Sequence, residues 1–207
     1  MSVLRIGALP PAVVGGAEKR SREQDHAPAA NLYFIPAGFE VTHSVDPTAG
    51  VAVASEKNRL KKRARAFGLT YRKVPGDGAC QFNAISDQMR GAFSPSQLRA
   101  MVCDFIGAHR AAYDGFNDAV DEGSFDEGLA KLREPYEYGN ALTLTAAATM
   151  FGRDICILQS SASQLWQVVT PTPGVQPSVP GTGTRPIWLA FTPEHHYDSL
   201  YSVEALR

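Results

Sequence analysis

The sequence VPGDGACQFNAIS, residues 74–86, places a cysteine directly after a glycine-rich turn. Apolar residues then recur at i, i+3 and i+7, at Phe82, Ile85 and Met89, which predicts a helix that begins beside the thiol of Cys80 and ends near Gly91. The positive end of a helix favours an anion, and the thiolate is the nucleophilic form of cysteine. Backbone N–H groups of the turn could also stabilise the oxyanion that forms on a carbonyl under attack. Taken alone, the turn favours a buried packing cysteine over a nucleophile.

A nucleophilic cysteine needs a base, and the chain offers five histidines: His26, His43, His109, His195 and His196. His196 stands two residues before Asp198 at the start of a predicted strand, where alternate side chains share a face. The carboxylate could then orient the imidazole, as the third member of a catalytic triad does. We expect His195 to face away, His109 to lie on the surface, and the first two histidines to lie in irregular chain.

The two other cysteines, Cys103 and Cys156, fall beside or within apolar runs, and we expect them to be packing residues. No CxxC or HExxH motif occurs, so no metal site is predicted. An odd number of widely spaced cysteines is not a disulfide framework and indicates a reducing compartment.

The hydrophobic pattern and the capping residues predict the helices and strands that must position these residues. Residues 55–68 predict a helix capped by Ser55. Its polar face carries six basic residues: Lys57, Arg59, Lys61, Lys62, Arg63 and Arg65. This face is either a solvated helix surface, a docking surface for an acidic partner, or a nuclear localisation signal.

Further helices are predicted for SPSQLRAMVCDFIGAHRAAY, SFDEGLAKL and NALTLTAAATMFG, and strands for LTYRKV, DICILQ, LWQVV, PIWLAF and the end of EHHYDSLYSV. Ser94 with Gln97 forms a capping-box pattern, and Asn140 and Gly152 mark a start and a stop. A Pro/Gly-rich stretch, residues 170–186, is predicted to be a long loop. Such a loop is either an extra length of chain that the fold tolerates or an element that faces the substrate. Helices followed by strands indicate a mixed α/β or α+β domain.

The first 55 residues are predicted to be a partly disordered N-terminal extension, with a short strand in residues 31–45, ahead of a domain over 56–207. Pro10 and Pro11 interrupt the apolar start of the chain, which argues against a signal peptide. No apolar run is long enough to cross a bilayer, so no membrane partner is expected. The net charge of −1 gives no reason to expect nucleic acid as a partner.

Four segments, in order, resemble motifs of the ovarian-tumour (OTU) domain cysteine proteases. GDGACQFNAIS resembles the nucleophile motif, and LRAMVCDFI the helix that follows it. YEYGNALTLTAAATMFGRDICIL is similar to the Trp-Gly-Asn segment with its helix and strand, and IWLAFTPEHHYDSL to the final strand and His-Tyr-x-Ser motif. The resemblance covers about residues 70–203. It departs from the family pattern at Ala79, Asn83 and Tyr138, where Asn, Arg and Trp are frequent.

The resemblance implies an α/β (α+β) papain-like OTU fold, with a small central β-sheet flanked by helices. It implies a deubiquitinase that hydrolyses isopeptide bonds between a lysine and the C-terminal glycine of ubiquitin or a ubiquitin-like modifier. Cys80 is then the nucleophile, His196 the general base, Asp198 its orienter, and Asp77 shapes the loop. Backbone N–H groups of Gly78, Ala79 and Cys80 would form the oxyanion hole.

The same resemblance implies no cofactor and a monomer acting on polyubiquitin and ubiquitinated proteins. It implies a place in the cytoplasm, with the nucleus, or a host cytosol for an effector or viral protein, as alternatives. Two other functions stay open at this point: a catalytically weak module that binds ubiquitin, and a protein whose basic helix binds nucleic acid or an acidic partner.

Overall fold

The secondary structure follows the predicted order. The computed structural model describes residues 32–33, 41, 45–50, 55–114, 124–179, 185–192 and 196–203. The helices in these ranges are α1 (Glu56–Ala66), α2 (Cys80–Gln88), α3 (Pro95–Ala108), α4 (Arg110–Tyr113), α5 (Phe125–Leu132) and α6 (Ala141–Phe151). The strands are β1 (Leu32–Tyr33), β2 (Leu69–Arg72), β3 (Ile155–Gln159), β4 (Trp166–Val169), β5 (Ile187–Thr192) and β6 (His196–Val203).

Side-chain caps fix where the main helices begin. Ser94 accepts from the Gln97 N–H while the Gln97 side chain accepts from the Ser94 N–H, so the predicted capping box is confirmed. Asn140 caps α6, and Gly152 ends it in the left-handed conformation. The helix predicted through Tyr113 is interrupted at His109, whose backbone leaves the helical region between α3 and α4.

The strands of the described residues form one six-stranded sheet in the order β1-β6-β5-β3-β4, with β2 also paired to β6. Only the β3–β5 pair is parallel; β6 runs antiparallel to β1, β2 and β5. Strand β6 is therefore paired with three other strands. This pairing fixes the positions of His196 and Asp198 along the strand direction of the sheet.

The sheet is covered on both faces. Alternate residues of β3 and β5 enter two separate apolar clusters, because side chains in a strand alternate between faces. Ile155, Ile157 and Leu189 join the cluster formed with α2, α3, α5 and α6. Cys156 and Trp188 join the cluster formed with α1. Both packing cysteines are buried as expected, with Cys103 in the first cluster.

The described part of the Pro/Gly-rich stretch packs against α6. The Thr172 N–H donates to Thr149 Oγ1 at 2.9 Å, and the N–H groups of Ser178 and Val179 donate to the Met150 carbonyl. This part of the loop therefore does not face the nucleophile. Among the described residues, no helix is long and apolar enough to cross a membrane.

Arg63 corrects one sequence expectation. The basic face of α1 was expected to be polar throughout, but the Arg63 side chain is fully buried. Its guanidinium pairs with Asp46 at 2.5 Å and donates to the carbonyls of Gln159, Ser161 and Gln164. Arg63 lies three residues after buried Leu60, so it shares that helix face. By binding these carbonyls it holds the turn between β3 and β4.

Replacing Asp46 with asparagine should lower the free energy of unfolding at pH 7 by about 1–3 kcal/mol, because Arg63 loses its buried counter-charge. A hydrogen bond from Arg63 lowers the Asp46 pKa from 3.8 to about 2. The stabilisation is therefore complete above about pH 4 and is lost as the pH falls toward 2. Urea unfolding from pH 7 to pH 2 measures this. Asp126→Asn, in the exposed pair with Arg110, is the control and should change stability little. An equal effect of both substitutions would contradict the prediction.

Candidate active site

Cys80 is the first residue of α2, and its side chain is buried at the floor of a loop formed by residues 73–79. Ala79 occupies the N-cap position, and its methyl group offers no acceptor to the N–H groups of the first turn. Uncapped N–H groups at a helix start are available to other acceptors and carry the positive end of the helix dipole. The position of Cys80 is thus one where negative charge can be received.

The imidazole of His196 lies at the start of β6 and faces the same loop. His196 Nε2 is 3.0 Å from Asp198 Oδ1, and the Val74 N–H donates to that same oxygen at 3.0 Å. Asp198 is only 2% exposed, whereas the His196 side chain is 23% exposed. Because Nε2 is held by the carboxylate, Nδ1 is the ring nitrogen left to exchange a proton.

Gly76 packs against that nitrogen. A Cβ atom built on Gly76 would lie 3.5 Å from His196 Nδ1, so the loop backbone forms a wall beside the imidazole. Tyr197, the next residue, donates its backbone N–H to the Cys80 sulfur. The start of α2 and the start of β6 therefore meet, and the structure brings Cys80, His196 and Asp198 into one site.

Burial raises the pKa of the Cys80 thiol above its usual value. The backbone N–H groups of Tyr197 and Gln81 lower this pKa, and the negative charges of Asp77 and Asp198 raise it further. The sequence suggested a site that stabilises the thiolate. In this structure burial outweighs the N–H donors, and the pKa of the Cys80 thiol is raised.

Asp77 holds the loop from within. Its Oδ1 accepts from the Ala79 N–H at 3.2 Å and from Asn83 Nδ2 at 3.0 Å. Asn83 Nδ2 also donates to the Pro75 carbonyl at 3.3 Å. The Ala79 N–H is therefore engaged by a carboxylate here, and its use as an oxyanion donor, with those of Gly78 and Cys80, stays a prediction.

The other side of the loop is held by a turn formed by residues 133–139. Gly78 has φ of 73°, and a Cβ built on it would overlap the Tyr136 carbonyl. The buried guanidinium of Arg99 donates to the carbonyls of Leu132, Pro135 and Glu137 and stacks over the Phe82 ring, 4.4 Å from its centroid. Arg99 thus keeps this turn pressed against the nucleophile loop.

Gly78→Ala should destabilise the fold by at least about 2 kcal/mol more than Gly91→Ala. Both glycines have φ near 70°, but a Cβ on Gly91 meets nothing within 4 Å. The control variant therefore bears only the backbone strain, about 1–2 kcal/mol, whereas Gly78→Ala must also displace the Tyr136 backbone. Urea unfolding of the two variants gives the difference, and similar losses would show that the turn yields freely.

Sequence reasoning missed Asn83 and Arg99 as parts of this site. Asn83 was noted only as a departure from a family pattern, and Arg99 lies beside the apolar stripe of α3. A signal for Arg99 existed, since the irregular segment REPYEYGN needs donors for its carbonyls. His109 is half-buried with its ring against Phe105, far from β6 in sequence and in contacts. His26, His43 and His195 lie outside the described residues.

A family model described as OTU-like cysteine protease matches residues 75–197, more than half of the chain. The match begins in the nucleophile loop and ends beside His196. This chain belongs to the family of OTU-like cysteine proteases.

Named relatives and solved structures agree with this assignment. Ovarian tumor domain-containing deubiquitinating enzyme 12 of Arabidopsis thaliana is 32% identical over 151 residues, which are 72% of this chain and 64% of the relative. Enzyme 10 of the same plant is 30% identical over 148 residues, 71% of this chain and 38% of the relative. The chain thus spans less than two thirds of the length of these relatives.

The fold is that of OTU domains. The structure of the OTUD1 OTU domain superimposes with a TM-score of 0.54 at 19% identity, covering 72% of this chain and 95% of that one. A Hazara virus OTU bound to ubiquitin gives a TM-score of 0.51 at 14% identity, covering 66% and 83%. The predicted papain-like OTU fold, a central sheet flanked by helices, is therefore confirmed.

Proposed function

We propose that this protein is a deubiquitinase, a thiol isopeptidase that cleaves the bond between a lysine amine and the C-terminal glycine of ubiquitin or a ubiquitin-like modifier. One observation carries the proposal: the thiol at the start of α2 lies against the residues that begin β6, where Asp198 holds the imidazole of His196. The family membership and the names of the plant relatives support the same activity.

In the proposed reaction, His196 Nδ1 takes the thiol proton as the sulfur attacks the glycine carbonyl carbon. Burial raises the pKa of the Cys80 thiol, so the thiol needs the imidazole as a base to become nucleophilic. The carbonyl oxygen becomes negative and is stabilised by backbone N–H groups at the start of α2. The tetrahedral intermediate expels the lysine amine, which takes its proton from the imidazolium.

Water completes the cycle. His196 removes one proton from a water molecule that attacks the thioester, and the imidazolium returns this proton to the sulfur as the intermediate collapses. The modifier leaves as a carboxylic acid, which gives its proton to solvent or to the released lysine amine. Cys80, His196 and water account for every atom and proton, so no cofactor is needed. Asp77 acts on the shape of the loop, and Asp198 acts on the imidazole and, through the Val74 N–H, on the loop.

The flanks of the loop suggest how a substrate lies. The leaving amine must be near His196, on the flank lined by Gly76. The acyl side of the scissile bond then extends over the opposite flank, formed by the turn at residues 133–139. This turn exposes two aromatic side chains, Tyr136 at 74% and Tyr138 at 56%, which can pack against an extended C-terminal tail.

The proposed partners are ubiquitin, polyubiquitin and ubiquitinated proteins. The proposed catalytic domain spans residues 56–207, and the extension of residues 1–55 contributes β1 and Asp46 to it. Three free cysteines fit a reducing compartment, which we take to be the cytoplasm, with the nucleus or a host cytosol as alternatives.

A ubiquitin carrying a C-terminal electrophile tests the function. The wild-type protein should gain the mass of one ubiquitin, attached to the peptide that contains Cys80. A panel of differently linked di-ubiquitins then reports cleavage and linkage preference. Binding of ubiquitin without labelling or cleavage would replace the enzyme with a ubiquitin-binding module, and absence of both would overturn the proposal.

A further inference from the structure

Asn83 is a polar residue of α2 that the proposed reaction does not use directly. It stands one helical turn after Cys80 and is half-buried. Its side-chain amide donates at 3.0 Å to Asp77 Oδ1 and at 3.3 Å to the Pro75 carbonyl. One amide group therefore joins two residues of the nucleophile loop to the helix that carries the nucleophile.

The two residues held by Asn83 stand on either side of Gly76, the residue that packs against His196 Nδ1. The same Asp77 oxygen also accepts from the Ala79 N–H, immediately before Cys80. Movement of Asp77 or Pro75 would consequently shift both the wall beside the imidazole and the backbone N–H groups that precede the sulfur. Only a donor can serve here, since both partners of the Asn83 amide are acceptors.

The remaining supports of the loop act elsewhere. Asp198 holds the Val74 N–H at one end. At the other end the Tyr136 backbone limits Gly78, and Arg99 donates to the Gly78 carbonyl at 3.5 Å. Between these ends, Asn83 supplies the side-chain contacts from α2 to Pro75 and Asp77. A short, glycine-rich segment without such a contact has many accessible conformations.

We propose that Asn83 is a positioning residue for the hydrolysis, which holds Asp77 and Pro75 so that the loop presents its N–H groups to the oxyanion and its wall to His196. The inference rests on the proposed function. Asn83 touches no reacting atom, and it acts through Asp77 and the backbone of the loop.

Asn83→Ala should lower kcat for a fluorogenic ubiquitin C-terminal substrate by about 10–100-fold and leave KM within about twofold, because oxyanion stabilisation acts on the transition state. Alkylation of Cys80 by iodoacetamide, followed by mass spectrometry, should change less than about twofold, since this displacement forms no oxyanion. Asn58→Ala, the same substitution on exposed chain in α1, is the matched control and should leave both rates unchanged.

Two further variants separate positioning from folding. Asn83→Asp keeps the side-chain volume but removes the donor, so it should lower kcat as much as Asn83→Ala does. Asn83→Gln keeps the amide donor and should recover a large part of the wild-type kcat. Equal kcat for wild type and both donor-free variants, or a loss that Asn83→Gln does not relieve, overturns the inference. The inference would also be overturned if Asn83→Ala lost kcat and all three cysteines were alkylated faster by the same factor, because that result indicates general unfolding.

Hydrogen exchange of the backbone amides in residues 76–79 gives a readout that needs no substrate. Exchange there should be faster in Asn83→Ala than in wild type and unchanged in Asn58→Ala. If the wild type cleaves ubiquitin substrates and the loop exchanges equally in both, only the role of Asn83 fails. If the wild type neither labels nor cleaves but the loop still loosens, the proposed function fails and the structural role of Asn83 stands.

Discussion

Replacing Cys80 with alanine should abolish cleavage of ubiquitin conjugates, with a loss of at least about 10⁴-fold in kcat, while affinity for ubiquitin changes little. In the proposed reaction the thiol supplies the bond-forming electron pair, and of the three cysteines only Cys80 lies at the start of a helix. The side chain removed is small and buried, so the fold should tolerate alanine at a cost of about 1 kcal/mol. Single-turnover cleavage of di-ubiquitin and calorimetric binding of ubiquitin measure the two quantities.

Cys156→Ala is the matched control for this experiment. Cys156 is also buried and carries a free thiol, but it packs on the opposite face of the sheet with α1. Its substitution should cost similar stability and leave kcat unchanged. Residual cleavage by Cys80→Ala near the wild-type rate would refute the assignment of the nucleophile, and equal loss of activity in both variants would attribute the effect to packing.

His196→Ala should lower kcat/KM by about 10³–10⁴-fold, and Asp198→Ala by a smaller factor, about 10–100-fold. In the proposed reaction His196 moves the proton in every step, whereas Asp198 orients the ring through the 3.0 Å contact to Nε2. Rates of ubiquitin-substrate hydrolysis across pH measure both losses. Retention of more than a tenth of the activity in His196→Ala would sink the role assigned to this imidazole.

For stability the order of these two substitutions should be reversed: Asp198→Ala should lower the free energy of unfolding more than His196→Ala. Asp198 is buried and also accepts the Val74 N–H, so alanine at this position leaves a buried donor without its partner. We expect a loss of about 1–3 kcal/mol in the free energy of unfolding, against little for His196→Ala. Asp198→Asn keeps a carbonyl acceptor and should recover stability more fully than activity. Equal stability of the alanine and asparagine variants would show that the Val74 contact contributes nothing.

The sequence predicted the elements well where local chemistry decides. The caps at Ser55, Ser94 and Asn140 and the stop at Gly152 lie where expected, because each depends on side chains within one helical turn. The alternating strands β3 and β5 were also expected, and the four motifs indicated the family. The pairing of β6 with three other strands depends on contacts distant in sequence and was not foreseen.

The parts of the fold and of the site that escaped prediction are side chains that bind backbone carbonyls. Arg63, Arg99 and Asn83 each donate to carbonyl oxygens of irregular segments. The packed fold determines which carbonyl lies within reach of each of these side chains. The hydrophobic pattern of the sequence does not show which residue provides that carbonyl. The reduced ionisation of Cys80 is likewise a result of burial, which the position of a cysteine at a helix start does not reveal.

The loop before Cys80 is tied to β6 by the Val74–Asp198 hydrogen bond, between residues 124 positions apart in the chain. During synthesis the nucleophile emerges from the ribosome long before the strand that supplies its base and anchors its loop. In the proposed enzyme, a chain that ends before β6 would carry the thiol without its base or its loop anchor, so we expect hydrolysis only once the sheet is complete. Completion of the sheet and gain of the proposed activity should therefore coincide.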